Sequence, residues 1–99
     1  MDNILKNKKR VVITGIGTVN CLGLNITDFW NNLLIGKSGI SLIEGFDTQK
    51  INSRIAGQVK NFDPHAFINV KEAKRMDRFA QFGVAASLMA IEDSKLKIT

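Results

Sequence analysis

The apolar positions of this chain change their period along its length, and each change marks an element. Val11, Val12 and Ile13 form a β-branched run that predicts a short buried strand, broken at once by Gly15, Gly17 and Gly23. Phe29, Trp30, Leu33 and Leu34 then recur at helical spacing, with Thr27 where an N-cap falls and Gly36 as the stop. That block predicts a short amphipathic helix. GKSG reads as a turn, ISLIEG as a brief apolar stretch and FDTQKINS as a polar excursion. RIAGQV, with Ile55 and Val59 around a glycine, predicts a short strand near a bend. Asp63 followed by Pro64 makes a cap and first-turn pair, predicting a helical turn over His65 to Ile68.

The last block predicts one long helix from about Lys71 to Ser94, and its halves differ in kind. In KEAKRMDR the cations Lys71, Lys74, Arg75 and Arg78 stand at i, i+3, i+4 and i+7, which on a continuous helix makes one basic face. In FAQFGVAASLMAI only Gln81 and Ser87 are polar. A helix apolar nearly all round has to be buried on every side. One strand or two, a small helix and a few loops do not supply that many neighbours, because small domains bury a low fraction of their surface. EDSKLKIT then opens another apolar segment at Leu96 and Ile98. The chain therefore reads as the beginning of something larger, or as an obligate partner in an assembly, and in isolation it is expected to be aggregation-prone or partly molten.

The glycines after the first strand raise the question of a phosphate cradle. A dinucleotide-binding turn needs glycine at the first, third and sixth positions, and here Gly15 and Gly17 are followed by Asn20. A phosphate loop needs Gly-Lys-Ser/Thr at a fixed distance after an earlier glycine. Gly36, Lys37 and Ser38 come after a helix, with Asn31 where that glycine belongs. Both patterns fail, and the glycines are expected to give backbone freedom at a strand exit.

Composition narrows the classes further. With 44% hydrophobic and 23% charged residues among 99, the chain is foldable and no longer than one domain. A net charge of +5 favours acidic partners, without choosing among nucleic acid, an anionic membrane face and an acidic protein. DNILKNKKR lacks an apolar stretch long enough for a secretory signal, so residues 1–8 read as a flexible basic N-terminus. VVITGI is far too short to span a bilayer. A single cysteine, Cys21, forms no internal disulfide and fits a reducing cytoplasm. Cys21 and the lone His65 have no second ligand at a metal-like spacing, so no metal site is expected. Cys21 reads as a small buried hydrophobe and His65 as a solvated loop residue.

The blocks RVVITGIGTVNCLG, FWNNLLIGKSGI, FD, IAGQVKNFDP and KEAKRMDRFAQFGVAASLMAIEDS, in this order and spacing, resemble the amino-terminal part of the elongating β-ketoacyl-acyl carrier protein synthases. The resemblance spans residues 9–99, which on this reading are an incomplete N-terminal part of a condensing-enzyme domain. It implies an α/β fold of the thiolase-like layered kind, here a strand, a short helix, a loop region and a long buried helix, and a homodimer in the full-length enzyme. It implies fatty-acid biosynthesis by decarboxylating Claisen condensation, with no cofactor. In the family the catalytic cysteine and two histidines lie beyond the length of this chain, so no catalytic residue is assigned here and the chain alone is expected to be inactive. The family's Ser or Thr followed by Pro is replaced by Asn20 and Cys21, and loss of proline implies a looser turn.

The resemblance also implies that the basic segment helps dock the acidic acyl carrier protein, through Lys71, Lys74 and Arg75, with Arg78 on the same face. A second reading is a non-catalytic module that binds acyl carrier protein or a full-length synthase. The reading frame after Thr99 separates the two. Nucleic-acid binding is disfavoured because KEAKRMDR lacks interleaved aromatics, and no membrane partner is expected.

Overall fold

The computed structural model describes residues 8–97; most of the predicted basic N-terminus, and Ile98, lie outside them. The elements in chain order are helix α1 (Ile26–Leu34), strand β1 (Ile40–Leu42), strand β2 (Ile55–Gly57), a 3-10 turn (Pro64–Ala66), helix α2 (Val70–Ala73) and helix α3 (Arg78–Ser94).

The cap of helix α1 stands two residues earlier than Thr27. Asn25 fills that place: Asn25 Oδ1 accepts from the Asp28 backbone N–H at 2.8 Å, and Asn25 Nδ2 donates to the Asp28 carboxylate at 3.1 Å. Asparagine and threonine are both good caps, and Asn25 wins because its oxygen reaches the third helical N–H while Asp28 favours the positive helix end. At the other end Gly36 adopts φ +71°, its N–H bonds to the Leu33 carbonyl, and the Lys37 N–H bonds to the Asn32 carbonyl. This paired closure is why glycine ends the helix there.

β1 and β2 form a two-stranded antiparallel ribbon in the register Ile40 to Gly57, Ser41 to Ala56 and Leu42 to Ile55. The Ile43 N–H to Arg54 carbonyl bond, 2.8 Å, carries the pairing one step further. Between ribbon and glycine segment sits Cys21. A Cβ added to Gly39 would meet its Sγ, and one added to Gly57 would lie 3.1 Å from it.

Residues 11–13 are not a strand. Val11 is 90% exposed and Ile13 84%, and no strand among the described residues pairs with them. A β-branched run becomes a strand only where a neighbour supplies its ladder hydrogen bonds. The glycines that follow also act differently from the expectation. None of Gly15, Gly17 and Gly23 has a positive φ. Gly15 and Gly17 lie directly on α3, where a Cβ on Gly17 would collide with the Ala86 carbonyl oxygen and fall 2.8 Å from Ala90 N, and one on Gly15 would collide with the Ala90 carbonyl and fall 2.6 Å from Ser94 N. Their use is close approach to a helix face made of Ala86, Ala90 and Ser94, one turn apart. Asp93 pins the contact, its Oδ2 accepting from the Ile16 N–H at 3.0 Å.

The turn at Asn20 and Cys21 is held rather than loosened. Asn20 and Gly23 exchange backbone bonds of 3.0 and 3.3 Å, Asn20 Oδ1 accepts from Leu22 N–H at 2.8 Å, and Asn20 Nδ2 donates to Thr18 Oγ1 at 2.8 Å. An asparagine that closes its own turn supplies by hydrogen bonding the restraint that proline supplies through its ring.

The predicted helix over Lys71 to Ser94 is two helices, and α3 is not buried on every side. Ala85 is fully buried, whereas Phe79 is 75% exposed and Leu88 and Ile91 are also exposed. Ile68, Ala73 and Ala85 are the buried apolar residues among those described. The accessible surface of 8422 Å² compares with about 5,600 Å² for a compact monomer of this mass. The described residues bury little beyond those three and enclose no large core of their own.

Candidate functional site

The site begins at the short segment between the ribbon and α3. Asn61 takes φ +62°, a left-handed conformation that asparagine tolerates better than most residues, and bends the chain after β2. Asp63 then caps the 3-10 turn, Oδ1 accepting from the His65 N–H at 3.0 Å, with Pro64 in the first position. Phe62 just before the cap and Phe67 four residues after it have stacked rings with centroids 6.3 Å apart. An apolar pair at these two positions staples the chain's entry into a helical turn. Phe62 also meets Phe82 of α3 edge to face at 5.0 Å.

Asn69 caps α2, its Oδ1 accepting from the Glu72 N–H at 2.8 Å. After Ala73 the backbone tightens: the Arg75 N–H bonds to the Glu72 carbonyl and the Met76 N–H to the Ala73 carbonyl, each three residues back. Asp77 then turns extended (φ −67°, ψ 159°) and stands as the N-cap of α3 without a side-chain cap bond. The sequence signal for this break is Asp77 itself, a residue type that competes with helical backbone and favours caps.

This break corrects the geometry of the four cations. Lys71 lies on α2, Lys74 and Arg75 on the tightened turn, and Arg78 is the first residue of α3, so they do not share one helical face. All four are exposed. Lys71, Lys74 and Arg75 make no ion pair with a carboxylate among the described residues, and share the segment with Glu72 and Asp77. They remain a cluster of solvated positive charge on a fixed backbone turn. Arg78 differs: its Nη2 donates to the Val59 carbonyl at 2.7 Å and its guanidinium carbon lies 5.2 Å from the centre of the Phe82 ring. Gln81, one turn further along α3, donates from Nε2 to the Ala73 carbonyl at 3.1 Å. By pattern alone Gln81 is only a polar exception on an apolar helix, and nothing in the spacing singles out Phe82. Phe62 and Phe67 are legible as a staple around Asp63; the partners of Gln81 and Phe82 depend on tertiary contact.

Cys21 and His65 are not brought into a catalytic arrangement. Cys21 is half-buried against Gly39 and Gly57, and His65 is exposed beside its Asp63 cap. Among the described residues no group of three His, Cys, Asp or Glu is placed to hold a metal ion, and no helix is long and apolar enough to cross a membrane.

Residues 8–99 match the family model described as beta-ketoacyl synthase, N-terminal domain. The chain is 48% identical over 91 residues to 3-oxoacyl-[acyl-carrier-protein] synthase 2 of Synechocystis sp. (strain ATCC 27184 / PCC 6803 / Kazusa), covering 92% of this chain and 22% of that protein. It is 45% identical over 92 residues to the protein of the same name from Vibrio cholerae, covering 93% and 22%. A solved structure described as the ishigamide ketosynthase/chain length factor superposes with a TM-score of 0.82 at 33% identity, over 91% of this chain and 22% of that one. The chain thus spans about a fifth of the length of the curated relatives it matches. The superposition bears out the α/β, layered thiolase-like expectation for the fold, with the element corrections given above.

Proposed function

The chain belongs to the β-ketoacyl synthase N-terminal domain family, and from that premise we propose that it is part of a condensing enzyme of fatty-acid biosynthesis, supplying scaffold and part of the surface that docks an acidic acyl carrier protein. The reaction is the transfer of an acyl group from the carrier's thioester to an enzyme cysteine, releasing the carrier thiol. Malonyl-carrier then loses carbon dioxide, and its carbanion attacks the acyl-enzyme carbonyl to form a carbon–carbon bond and expel the cysteine thiolate. Such a nucleophile needs a lowered thiol pKa and backbone N–H groups facing the developing oxyanion. No residue of this chain is assigned to those roles. The enzyme is expected in the reducing cytoplasm, and as a homodimer.

The observation that carries the docking role is the exposed cluster Lys71, Lys74 and Arg75, free of carboxylate partners among the described residues. Positive charge at a fixed turn raises the encounter rate with an acidic surface and sets register, at modest affinity per contact. The test is Lys74→Glu with Arg75→Glu in the protein made from the complete reading frame, titrated with acyl carrier protein. The dissociation constant is expected to rise at low salt and the difference to shrink as salt increases. An unchanged constant at low salt would overturn the docking role. The intact mass in the source cells tests the wider reading: a mass several times 11.0 kDa supports a working synthase, and a mass near it favours the non-catalytic module.

A further inference from the structure

Spacing groups Arg78 with Lys71, Lys74 and Arg75, and the geometry separates it from them. Its guanidinium is engaged twice, by a 2.7 Å hydrogen bond from Nη2 to the Val59 carbonyl and by the Phe82 ring, whose centre lies 5.2 Å from the guanidinium carbon. Phe82 touches Phe62, and Phe62 stacks on Phe67. These contacts join the start of α3 to the segment leading out of β2 and to the 3-10 turn that precedes α2. Gln81 makes the complementary tie, holding the Ala73 carbonyl at the end of α2 from the next turn of α3. The basic turn therefore sits between two fixed points: Phe67 before it and the Arg78/Gln81 pair after it. Between them the backbone is tight and the three cations are free of carboxylate partners among the described residues.

We propose that Arg78 is a positioning residue for the carrier-docking turn and not itself a contact to the carrier. This rests on the docking role argued above for Lys71, Lys74 and Arg75. A charge-assisted hydrogen bond to a carbonyl, combined with stacking on an aromatic ring, holds a guanidinium in one place and leaves it poorly disposed to reach an approaching carboxylate. The function of Arg78 is then to set where the turn lies relative to α3, and so where three long cationic side chains present themselves.

A contact charge and a positioning charge differ in salt dependence, because removing a rim charge changes both association rate and salt sensitivity. The experiment uses the protein from the complete reading frame, with acyl carrier protein as the probe, and compares Arg78→Met with Lys74→Glu/Arg75→Glu. For Arg78→Met the carrier dissociation constant is expected to rise by about three- to tenfold. The slope of its logarithm against the logarithm of salt concentration stays that of the parent. KM for carrier-borne acyl substrate rises in step while kcat at saturating carrier holds, and Arg78→Lys recovers part of the loss because an ammonium can still reach the carbonyl and the ring.

A flattened salt slope in Arg78→Met would make Arg78 a direct contact and overturn the proposal. So would an unchanged dissociation constant, or a fall in kcat that tracks a lowered thermal midpoint, which would mark a merely structural role. If Lys74→Glu/Arg75→Glu leaves carrier binding unchanged, the docking role itself fails, and that outcome is independent of how Arg78→Met behaves.

Discussion

Two segments of this chain lean on α3, the glycine segment at Gly15 and Gly17 and the basic turn at Lys71 to Arg75, and they use the helix in opposite ways. The glycine segment works by what it lacks. Any side chain at Gly17 enters the Ala86 carbonyl, so the contact is pure backbone approach to a stripe of small residues, closed by the Ile16 to Asp93 bond. The basic turn works by what it displays: long charged side chains that touch little, on a backbone held from beneath by Gln81, Arg78 and the Phe62/Phe67/Phe82 cluster. The first contact tolerates no change of volume at the glycines and uses charge only at Asp93. The second should tolerate many changes of volume and few of charge.

The largest effect expected from breaking this contrast comes from separating the chain from whatever covers it. The 99 residues alone should show no cooperative thermal transition as a monomer, because Val11, Ile13, Phe79 and Leu88 stay exposed. A sharp transition at monomeric mass in calorimetry and light scattering would contradict this. Next, Gly17→Ala in the complete protein should lose about 1–3 kcal/mol or more by overpacking, read from denaturant midpoints, while Gly83→Ala, where an added Cβ meets nothing within 4 Å, should be neutral or stabilising by about 1 kcal/mol on helix propensity. Equal losses at both positions would remove the close-approach argument.

Charge reversal by Lys74→Glu and Arg75→Glu should weaken carrier binding about tenfold at low salt, roughly 1.4 kcal/mol, with little change in thermal midpoint. A large midpoint shift would mean that those side chains do pack. The smallest contrast concerns α1: Asn25→Ala should cost about 1 kcal/mol, and Thr27→Ala less than about 0.5 kcal/mol. The reverse order in a denaturant titration would restore Thr27 as the cap.

How much of the fold and the site is legible in the sequence depends on the range of the interaction. The end of α1 at Gly36, the Asp63/Pro64 cap and the end of α3 near Ser94 are local events, each decided by a few neighbouring residues. The same local rules put the cap of α1 two residues late, since Asn25 and Thr27 both qualify by type and only the bond to the Asp28 N–H separates them. The break at Asp77 is local too, and the helical spacing of the cations that continues across it hides it.

The basic cluster is legible as composition and, through its resemblance to a family, as a docking segment. Its division into three cations without carboxylate partners among the described residues and one committed arginine is not, because Val59 and Phe82 approach Arg78 from different parts of the chain.

The sequence by itself determined that α1 ends at Gly36 and α3 near Ser94, where charge clusters along the chain, and which family the chain resembles, because capping, periodicity and motif order act over a few residues at a time. Tertiary structure alone decided that the first glycines serve close approach instead of bending, that Arg78 is tied to Val59 and Phe82, and that residues 11–13 have no ladder partner among the described residues. Each of those depends on what stands opposite a backbone group, and a strand, a glycine or a guanidinium acquires its role only when that neighbour arrives.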